Sequence, residues 1–88
     1  MRYKEASQLF AVLSDETRLR IMKLLYQCHY MTSVQLMEKA KCTMVPFHEH
    51  VRLLLSVELI METYESGVSY FYCNKEKVNQ LSSFLLSK

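Results

Sequence analysis

The hydrophobic residues of the segment 32–74 change their spacing partway along it. Over 32–56 they recur at intervals of three and four, which is the period of an amphipathic helix. Over 60–73 the chain is rich in β-branched and aromatic residues instead, and Gly67 interrupts that run. A short break at Cys42 divides the helical part in two. The segment therefore predicts two helices joined by a tight turn and followed by a β-hairpin.

The second of these two helices has two different sides. Thr43 is expected to be its N-cap, and Pro46 falls in its first turn, where the missing N–H leaves no hydrogen bond unmade. At helical spacing, one side carries Phe47, Val51, Leu54 and Leu55. The opposite side carries Val45, His48, Glu49, Arg52 and Ser56. We expect the apolar side to be buried and the polar side to be open to a partner.

Two amphipathic helices are predicted ahead of this segment. The first has an apolar stripe made by Ala6, Leu9, Phe10 and Leu13. Ser14 is expected to end it and to cap the second helix, whose first turn contains Asp15 and Glu16. The second helix has a wide apolar face made by Leu19, Ile21, Met22, Leu24 and Leu25. Its basic residues are expected to be solvated, namely Arg18, Arg20 and Lys23.

The third and fifth helices flank the predicted turn and hairpin. The third is capped by Thr32 or Ser33, and its inward residues are expected to be Val34, Leu36, Met37 and Ala40. Asn74 is expected to cap the fifth helix, over 75–87, whose shared face is made by Val78, Leu81, Phe84 and Leu85. Because the first and fifth helices both have apolar stripes on so small a chain, we expect a two-fold homodimer through them.

Length and composition predict one domain, 1–88, that is compact and mostly helical. Half of its residues are hydrophobic, with one Gly and one Pro. No apolar run approaches the ~20 residues of a membrane span, and the first residues contain no signal-peptide core, so we expect a soluble, cytoplasmic protein with no membrane partner. No nucleophile–base pair or phosphate-binding Gly loop is visible in the sequence, so we do not expect an enzyme.

The three cysteines, Cys28, Cys42 and Cys73, are odd in number and widely spaced. They are expected to be reduced thiols that pack as small hydrophobic side chains. Thiol-based redox or metalloid sensing is an additional possibility, and it requires two of them to lie close together.

The net charge of +2 is unevenly distributed along the chain. Residues 1–42 carry seven basic and four acidic side chains. Residues 43–73 carry a single basic residue against four acidic ones: Arg52 against Glu49, Glu58, Glu62 and Glu65. Because phosphate neutralisation supplies most non-specific affinity for DNA, we expect backbone contacts from Lys39 and Lys41 rather than from the hairpin.

The predicted fold is mainly α with a small β part (α+β): a winged helix-turn-helix with five helices. The helix-turn-helix covers 32–57, and the hairpin over 60–73, the wing, lies between the fourth and fifth helices. In this arrangement the second helix of the pair enters the major groove of double-stranded DNA. The candidate DNA-binding residues are Lys39, Lys41, Thr43, Val45, His48, Glu49, Arg52 and Ser66.

These candidates have different expected roles. The rigid fork of Arg52 suits guanine or phosphate, and Glu49 is either an acceptor for a cytosine amino group or a solvated charge. His48 is expected to point outward, whereas His50 is expected to be an interior or interfacial imidazole. The alternative function is a winged-helix module that binds protein through Val45, Leu53 and the acidic wing.

The sequence also resembles a known family. Residues 13–21, LSDETRLRI, are similar to the LSDPTRLRIL motif of the ArsR/SmtB-type winged-helix repressors, and residues 43–55 resemble their recognition helix, SQSTVSHHLRVL. Glu49 and His50 replace the paired histidines of that helix, and Glu58 stands where the family has Gly at its end. Residues 67–72 occupy the place of the family's wing. The resemblance covers nearly the whole chain.

The resemblance implies a dimeric DNA-binding transcriptional regulator, usually a repressor that is released when a metal, metalloid or oxidant binds. The family's cysteine-containing metal motif would fall at residues 30–36, which contain no cysteine. Its second metal site would fall within 75–88, which contain neither Asp nor His. We therefore assign no metal ligands and no cofactor.

Overall fold

A computed structural model describes residues 1–87, which form five helices and a three-stranded antiparallel sheet. The helices are α1 (Tyr3–Leu13), α2 (Glu16–Gln27), α3 (Ser33–Ala40), α4 (Met44–Ser56) and α5 (Lys75–Leu86). The strands are β1 (Met31–Thr32), β2 (Ile60–Glu65) and β3 (Val68–Cys73). The predicted winged helix-turn-helix is confirmed, with α3 and α4 as the helix pair and β2–β3 as the wing. Lys88, the last residue of the predicted domain, lies outside the described residues.

The two sides of α4 are as predicted. Phe47, Val51 and Leu54 are buried, and the ring of Phe47 packs edge-on against Phe71 of β3, with 6.5 Å between the ring centroids. The opposite side is exposed at all five predicted positions. Thr43 occupies the N-cap position, although its side chain donates or accepts no capping hydrogen bond. Burial of one side of α4 therefore leaves the other side at the surface.

The wing is a two-residue hairpin with positive φ at both turn residues. Ser66 has φ 52° and Gly67 has φ 78°, between strands that pair from Ile60 opposite Cys73 to Glu65 opposite Val68. Two positive φ values are the geometry of a type I′ turn, whose twist matches that of the flanking strands. Glycine satisfies this at Gly67 without steric cost, and serine adopts it less readily at Ser66.

The sheet has a third strand that the sequence did not predict. Met31 and Thr32, between α2 and α3, pair antiparallel with Phe71 and Tyr70. The strand order is therefore β1-β3-β2. Thr32 also accepts a hydrogen bond from the backbone N–H of Gln35, and the Gln35 side chain accepts one from the N–H of Thr32. This capping box confirms Thr32 as the N-cap of α3.

The core lies between the helices and the inner face of the sheet. Its fully buried side chains come from α1 to α4, from the residue before β2 and from the first residue of β2: Leu9, Ile21, Leu25, Leu36, Phe47, Leu54, Leu59 and Ile60. Leu81 adds the inner side of α5. Apolar burial on this scale is the main force that fixes the helices relative to the wing. Within residues 1–87 no helix is both long enough and apolar enough to span a bilayer.

Some side chains of the predicted apolar faces are exposed. Leu19 of α2 and Val34 of α3 retain 51% and 68% of their accessible surface, and Phe10 and Leu85 are also exposed. These residues lie at the edges of wide apolar faces. At an edge, the neighbouring helices and strands decide whether a side chain is covered, and the helical period does not. The predicted inward position of Val34 is therefore wrong.

The N-cap of α2 is Asp15, and not Ser14 as predicted. The Asp15 carboxylate accepts a hydrogen bond from the backbone N–H of Arg18 at 3.0 Å. The Ser14 hydroxyl instead donates to the carbonyl of Ala11 in the last turn of α1. Both residue types cap helices well, and an ionised carboxylate gains additionally from the positive end of the helix dipole.

Candidate nucleic-acid interface

All eight residues predicted to contact DNA are exposed. Lys39 lies in the last turn of α3, and Lys41 follows in a left-handed conformation, φ 54°, that turns the chain towards α4. Thr43 is the N-cap of α4, and Val45, His48, Glu49 and Arg52 follow on the outer side of that helix. Ser66 is on a separate element, at the tip of the wing. The structure thus brings seven of the eight residues onto one helix-turn-helix and places the eighth on the hairpin.

Glu49 and Arg52 form an ion pair on the exposed side of α4. The Arg52 Nη2 donates to the Glu49 Oε2 at 2.8 Å, and both side chains remain about two-thirds exposed. This hydrogen bond, together with the positive charge of Arg52, lowers the pKa of Glu49. Because the pair is spaced i, i+3 on a helix, sequence reasoning had the signal for it. Arg52 is consequently oriented by Glu49, and part of its charge is compensated.

Arg18 connects α2 to α4 and is not merely solvated as predicted. Its Nε donates to the carbonyl of Val12, and its Nη1 lies 3.0 Å from the Nδ1 of His50. A guanidinium group only donates hydrogen bonds, so in this geometry Nδ1 of His50 is the acceptor and its proton is on Nε2. His50 is thus an interior imidazole that ties the middle of α4 to the start of α2, as one of its predicted roles required.

Asp15 completes this cluster behind the exposed side of α4. Its carboxylate lies 3.9 Å from the Nδ1 of His50. The hydrogen bond from the Arg18 backbone N–H lowers the pKa of Asp15, and the positive charge of the Arg18 side chain acts in the same direction. A carboxylate that is hydrogen-bonded in the folded state favours its ionised form. Asp15 therefore caps α2 and lies beside the Arg18–His50 contact that joins α2 to α4.

Arg20 supports the other helix of the pair. Its Nη1 donates to the carbonyl of Ala40, the last residue of α3, at 3.0 Å. Its Nη2 lies 3.5 Å from the Glu16 carboxylate one turn earlier on α2. A cation at the carboxyl end of a helix is favourable because the free carbonyls there carry partial negative charge. Arg18 and Arg20, both missed as functional positions, hold α4 and the end of α3 respectively.

The wing is acidic near its tip, as its composition indicates. The hydroxyl of Ser69 donates to the carboxylate of Glu62 across the two strands, and Glu65 precedes the turn. Tyr64 is exposed, whereas Tyr72 packs against Tyr30 with 5.2 Å between ring centroids. Serine and tyrosine hydroxyls at this hairpin can donate to phosphate, but the hairpin itself contributes no positive charge.

The cysteines lie in three different environments. Cys73 is buried at the end of β3, Cys42 is partly buried at the turn between α3 and α4, and Cys28 is exposed after α2. Burial raises the pKa of the Cys73 thiol, which lowers its reactivity. The expectation of a packed thiol is therefore wrong for Cys28. Within the described part of the chain, no three His, Cys, Asp or Glu side chains are grouped as ligands for a metal ion.

The chain matches no protein-family model, and no curated protein is significantly similar to it in sequence. Solved structures do match. An ArsR-like transcriptional regulator from Rhodococcus sp. RHA1 is 22% identical, with a TM-score of 0.86 over 94% of this chain and 77% of that chain.

Two further structures extend the comparison. The homodimeric winged helix-turn-helix DNA-binding domain of a possible ArsR-family regulator from Mycobacterium bovis is 18% identical, with a TM-score of 0.78 over 94% of this chain and 76% of that one. The transcriptional regulator HlyU from Vibrio vulnificus CMCP6 is 21% identical, with a TM-score of 0.76 over 96% and 86%. At these identities the likeness establishes the fold, and the chain has the winged helix-turn-helix fold of those regulators.

Proposed function

We propose that this chain is a DNA-binding transcriptional regulator of the ArsR type, a cytoplasmic repressor without chemistry of its own. The observation that carries the proposal is the outer side of α4, where His48, Glu49 and Arg52 are exposed on a helix anchored by buried side chains. A helix held in this way after a tight turn is the element that such folds insert into the major groove. Its contact with Arg18 of α2, through His50, is consistent with a helix whose direction matters.

The residues of this surface divide by the contacts they can make. Arg52, oriented by Glu49, offers its remaining N–H groups to guanine, and His48 offers a ring nitrogen to a base edge. Lys39 and Lys41, at the end of α3, meet phosphates, and the hydroxyls of Thr43 and Ser66 add neutral phosphate contacts. Val45 is placed to contact a thymine methyl group.

A homodimer would supply the positive charge and the second reading helix that one chain lacks. Exposed apolar side chains occur at both ends of the α1–α5 pair: Tyr3, Phe10, Leu85 and Leu86. Tyr3 already packs edge-on against Phe84 within the chain, with 5.3 Å between centroids, so α1 and α5 form one continuous surface. The Mycobacterium bovis domain with this fold is a homodimer. We propose the same two-fold arrangement here, with these four residues at its interface.

The proposal is tested by selecting bound duplexes from a random pool with the full chain. We expect an inverted repeat whose half-sites are separated by about 10 base pairs or a multiple, because two α4 helices related by a dyad must enter successive major grooves. If the recovered duplexes share no sequence, or if no duplex is bound even at low salt, the outer side of α4 does not read DNA.

Arg52 provides a sharper test with two variants. Arg52→Ala should weaken binding to the selected site by about 5- to 150-fold, since one good base contact contributes roughly 1–3 kcal/mol of discrimination. Arg52→Lys keeps the charge but lacks the fork, so it should lose discrimination between sites while keeping the salt dependence of binding. Equal affinity of all three proteins would remove Arg52 from the interface.

A protein-binding module is the second candidate, and one observation favours it. The helix-turn-helix exposes three apolar side chains that DNA would not need together: Val34, Met44 and Val45. Together with the acidic wing, they would suit a partner with an apolar and basic surface. Failure of the duplex selection, combined with a dimer in solution, would leave this candidate in place of the first.

A further inference from the structure

His50 lies on α4 between His48 and Arg52, the two residues proposed to contact bases. It faces inward, and its side chain retains 18% of its accessible surface, compared with 67% for Arg52. The apolar contacts on the inner side of α4 are not directional, whereas a hydrogen bond has a preferred distance and angle. The hydrogen bond at the His50 ring therefore fixes the orientation of α4 more narrowly than apolar burial does.

Two groups at the start of α2 lie near the same ring nitrogen of His50. The Nη1 of Arg18 is 3.0 Å from Nδ1, and the Oδ1 of Asp15 is 3.9 Å from it. The neutral ring accepts the hydrogen bond of Arg18, whereas a ring that is protonated at Nδ1 can only donate. A protonated ring is repelled by the guanidinium group and attracted by the carboxylate. Protonation therefore exchanges one partner on α2 for the other.

The charged groups around His50 are Arg18 and Asp15 at the start of α2 and Glu49 beside it on α4. Glu49 is engaged in its own ion pair, and the end of α1 contributes the carbonyl of Val12, which accepts from Arg18. The pKa of Asp15 is lowered, so its carboxylate stays ionised, and a guanidinium group keeps its charge. Imidazole is the side chain that changes charge between about pH 5 and 8. Within this cluster, acid therefore acts on the ring of His50.

We propose that His50 is the positioning residue of α4 and that only its neutral ring holds the helix in the orientation that reads DNA. This inference rests on the proposed DNA-binding function and adds its dependence on pH. To donate to Asp15, the protonated ring and the turn that carries it must move about 1 Å, because 3.9 Å exceeds the length of a hydrogen bond by that amount. Movement of this turn displaces His48 and Arg52. Selection between DNA sites should therefore weaken in acid.

Acid has a second effect, because each protonated histidine adds positive charge that attracts phosphate. The two effects are separated by the ratio of the affinities for the selected site and for a scrambled duplex of equal length, both measured at one salt concentration. Added charge strengthens binding to both duplexes alike, whereas a displaced helix lowers the ratio. For the wild type we expect the ratio to fall by at least about tenfold from pH 8 to pH 5.5, the size of one hydrogen bond to a charged group. A ratio that stays constant or rises in acid would overturn the proposal.

Three variants assign the fall to His50. In His50→Asn, the side-chain oxygen can accept from Arg18 in place of Nδ1 and never gains a charge, so the ratio should stay high at both pH values. His50→Leu cannot accept a hydrogen bond and should have a low ratio at both. His29→Asn removes an exposed histidine outside the helix-turn-helix and should lose discrimination in acid as the wild type does. A fall that persists in His50→Asn would assign it to another group, such as His48, and would contradict the proposal.

A measurement on the free protein tests the same ring without DNA. The nitrogen chemical shifts of His50 should show a proton on Nε2 alone at pH 8 and on both ring nitrogens at pH 5.5, and circular dichroism checks that each protein is folded at each pH. A proton on Nδ1 at pH 8 would overturn the proposal even if a variant fails to fold. Binding of the selected site with a ratio independent of pH would end this inference alone, whereas absence of duplex binding at both pH values would end the proposed function with it.

Discussion

Glu58 adopts a left-handed backbone conformation, φ 59°, at the end of α4. Its N–H donates to the carbonyl of Leu55, and the N–H of Leu59 donates to that of Leu54, which is the Schellman pattern of helix termination. Glycine adopts this conformation without strain. It is also the residue found at this position in the ArsR/SmtB-type repressors that the sequence resembles. The turn is therefore made at a cost in backbone strain.

Glu58→Gly is expected to stabilise the protein by about 1 kcal/mol, because it relieves a left-handed non-glycine residue. The midpoint of thermal unfolding should rise by roughly 5 °C for a chain of this size. Glu58→Gln removes the charge but keeps the β-carbon, so it should give little of this gain. Equal gains from both variants would assign the effect to charge instead of backbone conformation.

Asp15 should make stability depend on pH in the acid range. Its pKa is lowered from an ordinary value near 3.8, so its contribution is complete above that pH and is lost as the pH falls through the lowered pKa. Asp15→Asn retains a side-chain oxygen for the cap but does not ionise. The wild type should be the more stable protein in urea at pH 5, and the difference should close near pH 2; a constant difference would contradict this.

The arginines of α2 show what the sequence leaves open at the scale of the residue. Arg18 and Arg20 follow the apolar face of α2 at positions that normally carry solvated charge, and the sequence interpretation placed them there. Their partners, His50 and the carbonyl of Ala40, are 32 and 20 residues further along the chain. A local pattern contains no information on such partners, whereas capping by Asn74 depends on the next three residues and was predicted correctly.

At the scale of elements, helix and hairpin positions follow from the sequence, and β1 does not. Hydrophobic residues spaced three and four apart predict α4, and the runs of β-branched and aromatic residues on either side of Gly67 predict β2 and β3. β1 has two residues, which is too short for any period, and it exists because Phe71 and Tyr70 offer a free strand edge to Met31 and Thr32. The third strand is thus a product of tertiary arrangement.

The wing turn permits a matched pair of substitutions. Gly67→Ala should destabilise the protein by about 1 kcal/mol from backbone strain alone, since a β-carbon there would meet no atom within 4 Å. Ser66→Asn should be neutral or stabilising by a few tenths of a kcal/mol, because Asn-Gly is the preferred type I′ pair. Chemical denaturation of both variants measures the difference. A neutral Gly67→Ala would show that the turn does not need its positive φ.

At the scale of the whole molecule, the proposed two-fold arrangement through α1 and α5 can be tested by the mass of the protein in solution. Sedimentation equilibrium of the wild type should give twice the chain mass of 10.5 kDa. Phe10→Glu combined with Leu85→Glu should give the monomer, because charges would be buried in an apolar contact. Val34→Glu places the same charge on an exposed apolar position of α3 and should leave the dimer intact. A wild-type monomer would remove the two-fold arrangement.

Thr32 belongs to two structures at once, since it pairs with Tyr70 in the sheet and caps α3 through Gln35. The hairpin and the helix-turn-helix are consequently joined at Thr32, so the orientation of one depends on the orientation of the other. Replacing the hairpin with one from a related protein would therefore also change the orientation in which α3 begins. The helix-turn-helix and the wing should therefore be transferred to another protein as one unit that includes residues 31 and 32.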